Sequence, residues 1–220
     1  MLLDVSHPLT TGMPIVSPLP DVRVEPLLSI KDGKPLNISL LTFASHAGTH
    51  IDAPSHAVEG AATIDEIPVE RFCGPAVVAA VDATVDRPVT VRDILDAAPA
   101  PGPGDMLFLS TGWDERYGTP DYFDHPALAE EVGDWAVEQR LSMIGTDTLT
   151  PEVPVARRPA GFAFPLHRRM LGNDVLIAEN LRGLRPAAGR RVMAYAFPIR
   201  IARGDAGPAR VVLDLRADAS

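Results

Sequence analysis

Three of the six histidines in this 220-residue chain fall within one eleven-residue run, His46 to His56, which reads HAGTHIDAPSH. Asp52 lies in the same run, so four side chains able to bind a metal or move a proton are crowded together. Imidazole nitrogens and carboxylate oxygens are ligands that Zn2+, Mn2+ and Fe2+ accept, and two histidines with one carboxylate leave coordination positions open for water. An open position points to catalysis rather than to a purely structural ion.

The backbone must place these groups on one side. In an extended chain the side chains alternate, so His46, His50, Asp52 and His56 share a face. A straight strand would hold His46 and His50 roughly 13 Å apart, too far for ligands that each sit about 2 Å from one ion. The chain must therefore bend between them, and Gly48 supplies the freedom to do so. A helix would also bring residues 46 and 50 together, but Gly48, the β-branched Thr49 and Ile51, and Pro54 argue against one.

The run resembles the signature of the metal-dependent cyclase family, which includes bacterial kynurenine formamidase and isatin hydrolase. That pattern reads H-x-G-T-H-x-D-x-P-x-H, and every fixed position is present. The resemblance implies that His46, His50 and Asp52 bind metal, one or two ions of Zn2+ or Mn2+, and that His56 shuttles protons. A second match lies downstream in HRRMLGNDVLIAENL, where the family places a histidine and a glutamate. The resemblance implies that His167 and Glu179 complete the site, as ligands or by holding a water. Weaker landmarks are DVSHPLTTGMP, LFLSTGW from Leu107, IGTDTLTPE from Ile144 and GDAGPARVVL from Gly204. The fold implied is an α/β single domain of the swivelling β/β/α type with a mixed central sheet, and family members are homo-oligomers. One departure concerns substrate: kynurenine formamidases tend to carry Trp followed by Pro-Gly-Asp where this chain has PIVSPLPDV, without an aromatic. N-formylkynurenine is therefore expected to be a poor substrate.

Composition agrees with one enzyme domain spanning residues 1–220, since a chain of this length can bury roughly 70% of its unfolded surface. A hydrophobic content of 46% excludes a disordered chain. Twenty basic residues against 29 acidic ones give a net charge of −9, which argues against nucleic acid or an anionic membrane as partner. No run of about 20 apolar residues suits a membrane span. MLLDVSHPL lacks the basic and apolar regions of a signal peptide, and the lone Cys73 can form no intrachain disulfide, so a cytoplasmic protein is expected. Cys73 itself reads as a small buried residue.

Short apolar runs at 76–81, 106–109, 141–144, 175–178, 192–197 and 211–215 read as strands, several apolar on both faces as in a covered sheet. Thr90 and Asp93 stand at capping-box spacing before a short helix. Residues 126–139 read as a longer helix, with Pro126 in its first turn and Leu128, Val132, Trp135 and Ala136 as its apolar stripe. PAPGPG at 99–104 and RRPAG at 157–161 are connectors rather than domain boundaries.

Rival chemistries leave no trace: the chain has no G-x-S-x-G elbow and no G-x-x-x-x-G-K-[ST] loop, and GPGDML from Gly102 is only a fragment of a dinucleotide fingerprint. The expected function is a metal-dependent hydrolase that cleaves a C–N bond of a small amide, formamide or cyclic amide with a metal-activated water. Alternatives are a lactone or ester hydrolase, a cyclase or lyase acting on a small carbonyl metabolite, and, outside catalysis, a metal or small-molecule binding module. The uncharged segment 13–20 is expected to pack over a neighbouring subunit of a homodimer or homotetramer.

Overall fold

The computed structural model describes residues 1–218. Its strands are β1 (Leu2–Asp4), β2 (Arg23–Leu28), β3 (Ile38–Thr42), β4 (His50–Asp52), β5 (Cys73–Ala80), β6 (Met106–Ser110), β7 (Met143–Thr146), β8 (Leu176–Glu179), β9 (Arg190–Pro198) and β10 (Ala206–Asp218). The α-helices are α1 (Val91–Ala97), α2 (Glu130–Glu138) and α3 (Pro165–Leu171).

Eight strands form one mixed sheet in the order β1-β10-β4-β8-β7-β6-β5-β9, and β9 pairs back onto β10. The sheet thus closes on itself as a barrel, which removes the exposed edges that an open sheet would leave. Strands β5 to β8 run parallel, whereas β4, β9 and β10 join antiparallel. The mixed α/β domain expected from the sequence is the one observed, with three α-helices among the described residues.

Strand alternation builds two cores. Ala76, Val78, Met106, Phe108 and Met143 point into the barrel with Ile51, Val192 and Leu213. Their neighbours Val77, Ala79, Leu107, Leu109 and Ile144 point outward, against Ile94 of α1, Val132 and Ala136 of α2, and Leu166 and Met170 of α3. Burial on both faces is why these strands read as continuous apolar runs.

Helix α1 begins as its sequence demands: Thr90 Oγ1 accepts from the Asp93 backbone N–H, and the Asp93 carboxylate accepts from that of Thr90. Helix α2 starts four residues later than Pro126 suggests. Ala127 and Ala129 instead exchange backbone hydrogen bonds with Val89, at 2.9 and 2.8 Å, which holds 127–129 extended. The sequence reading also passed over α3, whose seven residues carry too short an apolar pattern to stand out. Cys73 is half-buried at the start of β5 rather than in the core.

Among the described residues, strands β2 and β3 pair only with each other, as a hairpin outside the main sheet. Among the described residues, no helix is long and apolar enough to cross a membrane.

Candidate metal centre

Gly48 bends the chain where the histidine spacing requires it, with φ of +60°. A Cβ there would stand 2.7 Å from Met13 Cε, so glycine is needed both for conformation and for space. Beyond the bend, β4 points His50 and Asp52 to one side, while Ile51 between them enters the barrel core. The register then sets His50 opposite Glu179 of β8. A single 3-10 turn over Pro54–His56 follows and returns His56 toward His46, their rings 4.1 Å apart. Helix α3 supplies His167 from another layer.

All six residues expected from the sequence therefore meet. His46 Nδ1 lies 2.9 Å from Asp52 Oδ1, and His50 Nε2 lies 3.3 Å from the same oxygen and 3.4 Å from Glu179 Oε2. His167 Nε2 is 3.3 Å from Glu179 Oε1 and 3.7 Å from Asp52 Oδ2. His50 Nδ1 donates to the Gly48 carbonyl at 2.8 Å, which turns Nε2 and its lone pair toward the carboxylates.

The donor set fits a divalent cation. His50 Nε2, both Asp52 oxygens and Glu179 Oε1 are buried and make no hydrogen bond. Leaving four such atoms unsatisfied would be costly, and a cation among them would satisfy all of them. Three groups have ligand atoms close enough to share an ion: His46 with His50 and Asp52, His46 with His56 and Asp205, and Asp52 with His56 and His167.

The electrostatics say the same. Burial opposes a charge on His50, yet Asp52 and Glu179 raise its pKa to about 10. His167 is likewise raised to about 10 against its burial, by Glu152 and Glu179. Burial and the neighbouring Asp52 both oppose charge on Glu179, but His167 and His50 hold its carboxyl down at about 2. The carboxylates thus call for positive charge between them. His56 differs: burial pulls its imidazole below the ordinary value.

Two residues that the sequence reading left without a role complete the arrangement. Glu152, after β7, accepts from the His167 backbone N–H and lies 3.0 Å from its Nδ1, fixing the ring. Asp205, just before β10, bridges the cluster's open side, with Oδ2 3.0 Å from His46 Nε2 and 3.5 Å from His56 Nδ1. Both sit inside the weaker landmarks, IGTDTLTPE and GDAGPARVVL, which were the only signal of them.

The cluster opens into a cavity of about 410 Å3, walled by Pro14 to Leu19 on one side and by Leu149, Val155, Arg158 and Phe164 on the other. The segment expected to reach a neighbouring subunit thus lines the site of its own chain. Phe164, from outside the segment 14–22, also lines this cavity. A second hollow of about 450 Å3, between Ile64–Val69 and Phe197–Arg200, contains no histidine.

Fold and cluster together define a member of one family. The cyclase family model matches residues 3–153, more than half of the chain, and the protein belongs to that family. The kynurenine formamidase of Bordetella pertussis is 28% identical over 214 residues, covering 96% of this chain and 97% of its own. An isatin hydrolase solved with the product analogue thioisatinate superposes with a TM-score of 0.85 at 21% identity, over 96% of this chain and 91% of that one. A predicted metal-dependent hydrolase from Bacillus stearothermophilus does so with a TM-score of 0.77 at 28% identity, over 97% of both.

Proposed function

We propose that this protein is a metal-dependent hydrolase that cleaves the C–N bond of small amides, formamides or cyclic amides. The observation that carries this reading is the convergence of unpartnered buried donors from His50, Asp52 and Glu179 at the floor of an open cavity. The relatives support it, as a kynurenine formamidase and an isatin hydrolase.

His46, His50 and Asp52 would hold the ion, Zn2+ or Mn2+, with His167 and Glu179 beside it as ligands of the same or a second ion. When bound, a divalent ion supplies Lewis acidity, lowering the pKa of water from 15.7 toward about 7 and polarising a carbonyl. His56 is the proton carrier. It is the most exposed imidazole of the cluster, at 32% against 1% for His50, and it stays neutral near pH 7 because its pKa is depressed. A neutral imidazole can accept the proton of the attacking water and deliver it to the leaving nitrogen. Asp205 orients it through Nδ1. Glu152 holds the His167 ring, and Phe164 and Leu149 form an apolar wall for the body of the substrate.

The test joins metal content to turnover. Purified protein is expected to carry one or two equivalents of Zn2+ or Mn2+, lost together with activity in a His50→Ala, Asp52→Ala double variant. N-formyl arylamines, isatin-like cyclic amides and lactones, assayed side by side, separate amide from ester chemistry. Active protein without transition metal would overturn the reading, and lactones turned over far faster than any amide would replace it with a lactonase.

A further inference from the structure

Two adjacent arginines end the 3-10 turn that begins at Val155, and they have opposite fates. Arg157 is exposed and fully engaged, pairing with Asp124 through two nitrogens and with Asp86 through a third. Arg158 is half-buried and lines the cavity of the candidate metal centre. Its Nε donates to the Val153 carbonyl at 2.8 Å, and its guanidinium lies over Phe164 at 4.8 Å and Phe162 at 5.2 Å. These contacts fix the plane of the fork. Among the described residues it has no ion pair, although Glu152 and Glu179 are near enough for their fields to act on it. Glu152 is bonded to His167, and Glu179 faces His50 and His167 at 3.4 and 3.3 Å rather than the guanidinium.

Arg158 is therefore a held cation whose terminal nitrogens have no hydrogen-bond partner among the described residues, and it is the only Arg or Lys among the residues lining this cavity. A half-buried guanidinium loses hydration unless an acceptor replaces it. Its fork matches a carboxylate through two parallel hydrogen bonds, whereas a phosphate dianion would call for more than one cation. The position sets a scale. Phe164, stacked under the guanidinium, has its ring 6.0 Å from that of His167, so one aromatic ring separates Arg158 from the metal ligands.

We propose that Arg158 determines specificity by anchoring a carboxylate on the substrate, so that the site prefers small amides carrying an anionic carboxyl group about one ring-width from the scissile carbonyl. This rests on the hydrolase reading above and names its substrate class. Without the anchor, the carboxylates of the centre and a net charge of −9 would disfavour an anionic substrate.

The test compares kcat/KM for formanilide and for 4-formamidobenzoate, its counterpart with a carboxylate across the ring, on the metal-loaded enzyme. The wild type is expected to prefer 4-formamidobenzoate. Arg158→Gln should reduce that preference by about 10- to 100-fold, mainly through KM, as loss of a charge-assisted pair implies. Arg158→Lys should keep part of it, because the charge survives without the fork. A wild type indifferent to the carboxylate, or a preference unchanged in Arg158→Gln, would overturn the proposal and leave Arg158 as a prop for the Phe162 and Phe164 loop. If the wild type hydrolyses neither amide, the hydrolase reading fails separately. Calorimetry with benzoate then decides on Arg158: binding weakened at least about tenfold in Arg158→Gln supports the anchor, and equal binding refutes it.

Discussion

His56 and Glu152 stand at the two ends of what a single residue can do around this centre. His56 lies on the open side of the cluster, and as the proposed proton carrier it predicts that His56→Ala keeps the metal while lowering kcat by about 10²–10⁴. Metal lost from it as readily as from His46→Ala would make His56 a ligand instead. Glu152 touches the cluster only through His167, at its backbone N–H and its far ring nitrogen, so Glu152→Gln should weaken metal affinity by about 10- to 100-fold with the ligands themselves intact, measured by competition with a chelator. His7 makes the fold sensitive to pH. It stacks on Tyr117 with ring centroids 3.5 Å apart, and its Nε2 is buried without a partner. Burial, and then the charge of Arg182, depress its pKa to about 4, against about 6.5 in an unfolded chain. Between those values the unfolded chain binds the extra proton. His7 is therefore no burden above pH 6.5, and stability is lost as pH falls from there through 4, by on the order of 3 kcal/mol. Urea titrations of chelator-treated protein at several pH values should show a shallower loss in His7→Phe; identical slopes would discard this role. At this scale the sequence was most legible where ligands are close in the chain. The spacing of His46, His50 and Asp52 announced itself, whereas Asp205 meets His46 across 159 positions and Glu152 meets His167 across 15, contacts that only the fold creates.

The elements explain why that spacing works. Two residues apart on β4, His50 and Asp52 face the same way, and the left-handed bend at Gly48 folds His46 back onto them. Gly48→Ala should cost about 1–3 kcal/mol, because alanine is strained at a positive φ and its Cβ would drive into Met13. It should also weaken metal binding, since the bend places His46 against Asp52. A thermal melt matching wild type, with metal content unchanged, would show that the bend is not needed. The strands were legible because both faces of β5, β6 and β7 are buried and their apolar runs are unbroken. Element ends were less so. Proline at 126 suits a helix start, yet the backbone pairing of 127–129 with Val89 outweighs that local preference, a contact across 38 positions and more that no window of sequence contains. α3 stayed hidden for a related reason: its identity depends on Leu166 and Met170 packing under α2 and the sheet.

At the scale of the molecule, closure of the barrel leaves one part unfinished. The β2–β3 hairpin pairs with no other strand, every residue of β3 is exposed, and Leu27, Ile38, Leu40 and Leu41 are each between 42% and 59% accessible. A two-stranded hairpin is marginal in water by itself, and clustered apolar side chains on it mark a surface that becomes covered. Segment 13–20, expected to pack over a neighbouring subunit, also lines the cavity of its own chain, and we propose the hairpin as a further contact of the expected homodimer or homotetramer. Light scattering on the eluting protein should give a multiple of the 23.5 kDa chain mass at micromolar concentration. Charging the exposed face with Ile38→Lys and Leu40→Lys should return it to 23.5 kDa without loss of secondary structure by circular dichroism. A wild type already at the monomer mass would discard the assembly, whereas a larger mass that survives both lysines would keep the assembly and move its interface away from the hairpin.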